Sequence, residues 1–313
     1  MLQIDFSSIF GKIRGKSVGI QLPDGLKYYA KDIAEIFERK GFEVILSGKP
    51  SYGACDVDLD LLKHVDVLLH FGHTKLLDYD RVLYIPYEID YEVDPELLKK
   101  EIHERRIAII GTANYAWKFK EIKKILEESG FKVMLKRGIR AEYEGQVLGC
   151  DYSSLEGLNV EAVLFIGDGR FHAIGASIYT KKKVYAYNPL MGEIEIIKQE
   201  DFLKRRYFAV SKAKLCESFG ILVSTKPGQK RLGLAQKLRN LAKERGKKAE
   251  IILTDEITPQ LTENFRFDCY VNTACPRIVY DDYKRFEKPL ITPPEFEVVL
   301  GLKSEIEMDT IFR

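Results

Sequence analysis

The residues of this chain best suited to chemistry are cysteines. There are five, Cys55, Cys150, Cys216, Cys269 and Cys275, in 313 residues. Cys55 lies in PSYGACDVD, Cys150 in GQVLGCDYSS and Cys275 in NTACPR. The first two share a setting of glycine before the thiol and aspartate after it. Thiolate sulfur suits iron–sulfur clusters and zinc. A four-iron cluster ordinarily takes four cysteines, so three would leave one iron open to a substrate, as catalytic metal sites do. The alternative reading is three scattered buried thiols, because free cysteine is among the most buried residue types. No C-x-x-C pair anchors the set. Their placement in glycine-containing loops, one in each third of the chain, favours the cluster. Cys216 ends the helical run FLKRRYFAVSKAKLC, and Cys269 begins the strand CYVNTA. Both are expected to be plain core residues, with Cys269 the substitute for Cys275 if the register is displaced. An odd cysteine count without an export signal argues against a disulfide framework.

Other candidates are polar loops. In GDGRFH, Gly167, Asp168 and Gly169 allow close backbone approach to a ligand. Arg170 is suited to pairing with a carboxylate, and His172 to bonding with substrate or cofactor. This is not a dinucleotide fingerprint, since the next glycine is Gly175. The loop STKPGQK, 224–230, offers Gln229 and Lys230 as cofactor contacts or as plain turn residues, and it does not fit a phosphate-binding P-loop. His70 lies in a strand and His73 just beyond it, so no shared metal is expected, and His73 is expected near the site. Asp24, in PDGL, is expected to cap a helix. Lys181–Lys183 reads as a solvated turn.

Three repeats must position these groups. Each opens with a short apolar run (Val18–Leu22, Ile107–Ile110, Ile221–Val223) that reads as a buried strand. An amphipathic helix follows, with Ile33, Ile36 and Phe37 or Ile122, Ile125 and Leu126 on one face. Each helix stops at a glycine, Gly41, Gly130 or Gly246, as a left-handed C-cap requires. A second strand comes next (Phe42–Leu46, Phe131–Leu135, Ala249–Leu253). VDVLLHFGHT, EAVLFIGDGRFH and FDCYVNTACPR read as third strands, and RVLYIPYE, VYAYNPL and KPLITPPE as fourth strands. The pattern predicts an α/β protein of three similar Rossmann-like lobes with parallel sheets, over 1–100, 101–198 and 199–313. Ligands of such sheets collect beyond the carboxyl ends of the strands. Each lobe offers one thiol there: Cys55, Cys150 and Cys275. Lobes arranged pseudo-threefold with those edges inward would gather the thiols around a central cluster.

Composition sets the outer bounds. A net charge of +2 gives no field to draw the whole molecule onto nucleic acid or membrane. No apolar run is long enough to span a bilayer, and MLQIDFSSIFGKIRGK lacks the features of a signal peptide. A cytoplasmic protein is expected.

The motifs PDGL, YGACDVD (52–58), FGH (71–73), GDGRFH (167–172) and NTACPR (272–277) together resemble the archaeal diphthamide synthases of the first biosynthetic step, over nearly the whole chain. The resemblance implies a homodimer and a [4Fe-4S] cluster held by Cys55, Cys150 and Cys275. It implies an unusual radical use of S-adenosylmethionine. In that family the 3-amino-3-carboxypropyl group passes to C2 of a histidine imidazole in translation elongation factor 2, and methylthioadenosine is released. An electron donor is then required. The usual radical-enzyme signature C-x-x-x-C-x-x-C is absent, and the family does not use it. Two other readings stand beside this one: an iron–sulfur enzyme like quinolinate synthase, and a non-catalytic iron–sulfur scaffold.

Overall fold

The structure is a computed structural model that describes residues 6–311. Met1–Asp5 of the opening segment, read above as no leader, lie outside the described residues. Three sheets follow one another along the chain. The first contains β1 (Ser17–Gln21), β2 (Glu43–Leu46), β3 (Val67–Phe71) and β4 (Val82–Ile85), in the order β2-β1-β3-β4. The second contains β5 (Arg106–Ile110), β6 (Lys132–Met134), β7 (Ala162–Ile166), β8 (Lys183–Asn188) and β9 (Glu193–Ile196), in the order β6-β5-β7-β8-β9. The third contains β10 (Ser218–Ser224), β11 (Lys248–Thr254), β12 (Cys269–Asn272) and β13 (Leu290–Ile291), in the order β11-β10-β12-β13. All strand pairs are parallel except β8 with β9. The shared order places the turn after each first strand, and the loop after each second strand, on the same edge of its sheet.

Local sequence explains these elements. The middle strands β3 (VLLHF) and β7 (AVLFI) are buried at every position, as strands covered on both faces must be. The helix Ala30–Glu38 buries Ile33, Ala34 and Phe37, and the helix Phe119–Glu128 buries Phe119, Ile122 and Leu126. Ile36 and Ile125 lie at the margins of those faces, half-buried. The helix Leu232–Glu244 buries Ala235, Leu238 and Ala242. Gly41, Gly130 and Gly246 have φ of 88°, 100° and 75°, the left-handed geometry that ends a helix at glycine.

Sheets two and three share a continuous apolar core, in which Ala108, Val163 and Phe165 join Leu222, Tyr270 and Tyr280. Burial of each large side chain there contributes roughly 1.5–3 kcal/mol, enough in sum to hold the two sheets as one body. A buried ion pair braces sheet three. Arg206 meets both carboxylate oxygens of Glu295 at 2.7 and 2.8 Å and donates to the carbonyls of Val279 and Leu290. All three guanidinium nitrogens donate, as a buried charge requires.

Four expectations are corrected. Cys216 and Cys269 form a disulfide, with Cα atoms 6.1 Å apart. Both sit in the apolar cluster of sheet three, so the tertiary fold brings together thiols 53 residues apart. The odd count leaves three free cysteines, Cys55, Cys150 and Cys275. Asp24 does not cap a helix by hydrogen bonding; it begins a 3-10 turn and pairs with Lys27 at 2.7 Å. The stretch 181–183 is not simply solvated. Lys181 takes a left-handed conformation and pairs with Glu305, Lys182 donates to the Val160 carbonyl, and Lys183 pairs with Glu104. Finally, β9 adds an antiparallel edge to sheet two. Its sequence EIEI is mostly exposed, as suits a charged edge strand.

Candidate metal centre

Cys55 follows β2 in a loop gripped from two sides. From its own sheet, buried Gln21 at the end of β1 donates from Nε2 to the Asp56 carbonyl at 2.6 Å and accepts from the Asp58 amide at 3.0 Å. From sheet three, the loop after β10 supplies the Gly228 amide to the Cys55 carbonyl at 2.9 Å. Gln229 Nε2 lies 3.3 Å from Cys55 Sγ. Position 228 must be glycine, because a Cβ there would come within 2.5 Å of Cys55 Cα. Buried Lys226 of the same loop pairs with Asp56 at 2.8 Å and with Glu256 at 2.5 Å.

Cys150 occupies a tight turn closed by Leu148 and Asp151, which exchange both backbone hydrogen bonds at 3.0 Å. Asp151 accepts the Ser153 amide at 2.8 Å. Gly149 leaves room for the Phe171 ring, which a Cβ would meet at 2.4 Å. The Cys150 carbonyl accepts the Ile311 amide at 3.1 Å. Cys275 follows β12. Asn272, the last residue of that strand, closes the turn: its Oδ1 accepts the Ala274 amide at 2.9 Å and its Nδ2 donates to the Cys275 carbonyl at 2.8 Å. Arg231 donates to the carbonyls of Thr273 and Ala274 at 2.5 and 3.1 Å.

The fold brings these three thiols together. Burial pushes the Cys55 thiol up to about 12, and charge on Cys275 adds to the shift. Burial likewise raises Cys150, followed by charge on Cys275 and then on Cys55. Burial raises Cys275, against the pull of the nearby Arg277 amide and guanidinium. Sulfurs that sense one another in this way face a common space. Each cysteine nevertheless keeps partial solvent exposure, so that space is a recess. Among the described residues, no three His, Cys, Asp or Glu side chains stand close enough to hold one metal ion. The thiols are within electrostatic reach of one another, and three thiolates are a donor set that suits an iron–sulfur cluster.

A cavity of about 560 Å³ lies between residues of lobes two and three, and Asp168, Gly169, Arg170 and His172 line it with Arg277 and Tyr280. Phe171, on the same wall, packs over Gly149 beside Cys150. Gly167, with φ 155°, lies against Phe165 and outside the lining. Arg170 pairs with Glu195 at 2.6 Å on the surface. Burial, reinforced by Arg277, lowers His172 to about 4 and keeps it neutral. Gln229 stands apart from this cavity, against Cys55.

His70 and His73 do meet, Nε2 to Nδ1 at 3.0 Å. Gly72, with φ 86°, turns the chain after β3 and folds His73 back. His70 Nδ1 bonds Gln21 Oε1 at 2.8 Å, so the pair leads to the Cys55 loop through Gln21. Burial lowers the two rings to about 3 and about 4. Sequence reasoning missed Lys226, Arg231 and Asp309. Lys226 and Arg231 lie in or beside the polar loop 224–230, where nothing local marks their distant partners, and Asp309 lies in a stretch without periodicity.

Three parallel-dominated sheets in series, with one free cysteine past a strand of each, define a three-lobed α/β protein. Residues 22–311 match the family model described as "Putative diphthamide synthesis protein". The chain belongs to this family of diphthamide synthesis enzymes. It is 39% identical over 310 residues to the 2-(3-amino-3-carboxypropyl)histidine synthase of Pyrococcus horikoshii, covering 96% of this chain and 90% of that protein. It is 32% identical to the enzyme of the same name from Methanocaldococcus jannaschii, covering 93% and 86%. The crystal structure of Dph2 from Pyrococcus horikoshii with a 4Fe-4S cluster superposes with a TM-score of 0.92 at 37% identity, over 99% of this chain and 94% of that one. Among the described residues no helix is long and apolar enough to cross a membrane.

Proposed function

We propose that this protein transfers the 3-amino-3-carboxypropyl group of S-adenosylmethionine to C2 of a histidine imidazole in translation elongation factor 2, releasing methylthioadenosine. The observation that carries this reading is the meeting of Cys55, Cys150 and Cys275 beside the cavity lined by Asp168, Arg277 and His172. The names of the relatives and the cluster in the Pyrococcus structure support it. The three thiols, one from each lobe divided at 1–100, 101–198 and 199–313, would hold a [4Fe-4S] cluster. When bound and reduced, such a cluster supplies one electron to a sulfonium and leaves one iron open to ligand.

The chain's own residues bind and orient. Arg277 offers a cation to the carboxylate of the methionine portion. Asp168 offers an anion to its ammonium group. The Phe171 ring shields the Cys150 side from water. Neutral His172 can bond either partner without adding charge. Which carbon–sulfur bond breaks depends on which carbon faces the open iron, so the role of the protein is positioning. A histidine on a large substrate must reach the recess, in keeping with the partial exposure of all three cysteines. The proposal includes a cytoplasmic homodimer and a separate electron donor.

The test is anaerobic reconstitution, reduction, and incubation with S-adenosylmethionine and elongation factor 2. Methylthioadenosine should form, and one aminocarboxypropyl group should appear on a histidine-containing peptide. A full cluster that yields neither product would overturn the reading and favour a quinolinate-synthase-like enzyme or a scaffold.

A further inference from the structure

The loop after β10 touches more of the thiol site than any role in cofactor contact requires. Gly228 and Gln229 hold Cys55. Two residues on, Arg231 holds the carbonyls of Thr273 and Ala274, immediately before Cys275. The other face of the guanidinium is engaged by Asp309, at 2.8 Å from Nη1 to Oδ1 and 2.5 Å from Nη2 to Oδ2. Both side chains are largely buried. The Asp309 amide donates to the Tyr280 hydroxyl at 3.1 Å, and the Ile311 amide donates to the Cys150 carbonyl.

We propose that Arg231 is a positioning residue of the thiol site: clamped by Asp309, its guanidinium fixes the Cys275 loop and, through residues 309–311, the Cys150 turn. This rests on the reading of the three cysteines as cluster ligands. The planar fork of arginine can serve two carbonyls and a carboxylate at once, whereas lysine, a point donor, cannot. Neither residue faces a reacting atom in this scheme. Their part is to hold two ligand loops in one relative arrangement, as groups behind metal ligands do elsewhere. The guanidinium makes no bond to the Cys55 loop, which Gln21 of sheet one also grips, and this gives the proposal an internal control.

The experiment compares the parent protein with Arg231→Gln, Arg231→Lys and Asp309→Asn. Metal-free protein is pulsed anaerobically with iodoacetamide, and modification is mapped cysteine by cysteine. Arg231→Gln is expected to raise the rates at Cys275 and Cys150 about tenfold through local opening, while Cys55 stays within about twofold of the parent. Arg231→Lys should fall between, and Asp309→Asn should follow Arg231→Gln. In reconstituted protein the same variants should lose iron faster to a ferrous chelator and alter the paramagnetic resonance of the reduced form. Unchanged rates at Cys275 and Cys150 in a folded variant would overturn the proposal. If Arg231→Gln does not fold, Arg231→Lys and Asp309→Asn decide by the same measurement. A parent protein that takes up no cluster would instead count against the proposed function, and the alkylation pattern would still judge the clamp.

Discussion

The two ends of β12 carry two cysteines with opposite fates. Cys269 opens the strand inside the apolar core of sheet three, wholly buried and bonded to Cys216. Cys275 lies just past the other end, where Asn272 and Arg231 shape the turn and the thiol meets those of other lobes. Cys269 is fully buried and Cys275 only partly, and the difference follows from which edge of the sheet they occupy. The amino end of β12 faces its own lobe, so its thiol finds a partner there. The carboxyl end opens on the junction, the edge where parallel sheets gather ligands.

Substitutions at the two ends would test this contrast most severely. Cys275→Ala should reduce iron uptake on reconstitution to background, as should Cys55→Ala and Cys150→Ala, whereas Cys216→Ala and Cys269→Ala should keep iron and product formation. Iron analysis and methylthioadenosine release check both halves. The core end should show itself in stability: opening a disulfide that closes a loop of this length costs about 4 kcal/mol on the chain-entropy model, read as a lower urea midpoint in Cys216→Ala under oxidising conditions. Equal iron loss at both ends would break the contrast.

A smaller effect comes from pH at the site edge. Burial lowers His172 from about 6.5 to about 4. Below pH 6.5 the unfolded state therefore binds a proton that the folded state refuses. Stability from this group is complete above pH 6.5 and lost as pH falls toward 4, by about 3 kcal/mol in total. His172→Gln should flatten that part of the urea-midpoint profile between pH 7 and 4. The smallest expected effect on stability is at Gly228, where Gly228→Ala would press on Cys55 Cα and cost about 1–3 kcal/mol. Its iron retention should fall well beyond what that loss of stability explains.

Much of the architecture was legible because the same physics repeats three times. An apolar run, an amphipathic helix and a glycine at positive φ mark each unit, and each strand expected from the pattern is present. The three thiol positions were legible for a related reason, since the carboxyl edge of a strand can be read from its last apolar residue. Contacts between distant segments were not. Nothing local in AKLCES or FDCYV indicates that Cys216 and Cys269 touch. Arg231 and Asp309 are 78 residues apart, and each alone reads as an ordinary surface charge. The strand EIEI is not legible alone, because two glutamates outweigh two isoleucines until the neighbouring strand β8 is in place. His73 was expected near the site on position alone, and its fold-back onto His70 depends on the torsion of Gly72.

The distribution of the thiols also sets a timetable. No lobe carries two of the free cysteines, so a growing polypeptide that has completed one lobe presents a lone sulfur, with no chelate to trap stray iron. Under the proposed function, affinity for the cluster would arise only once all three sheets are in place and the loop after β10 lies against Cys55, so metal capture would be a late event that requires the whole molecule.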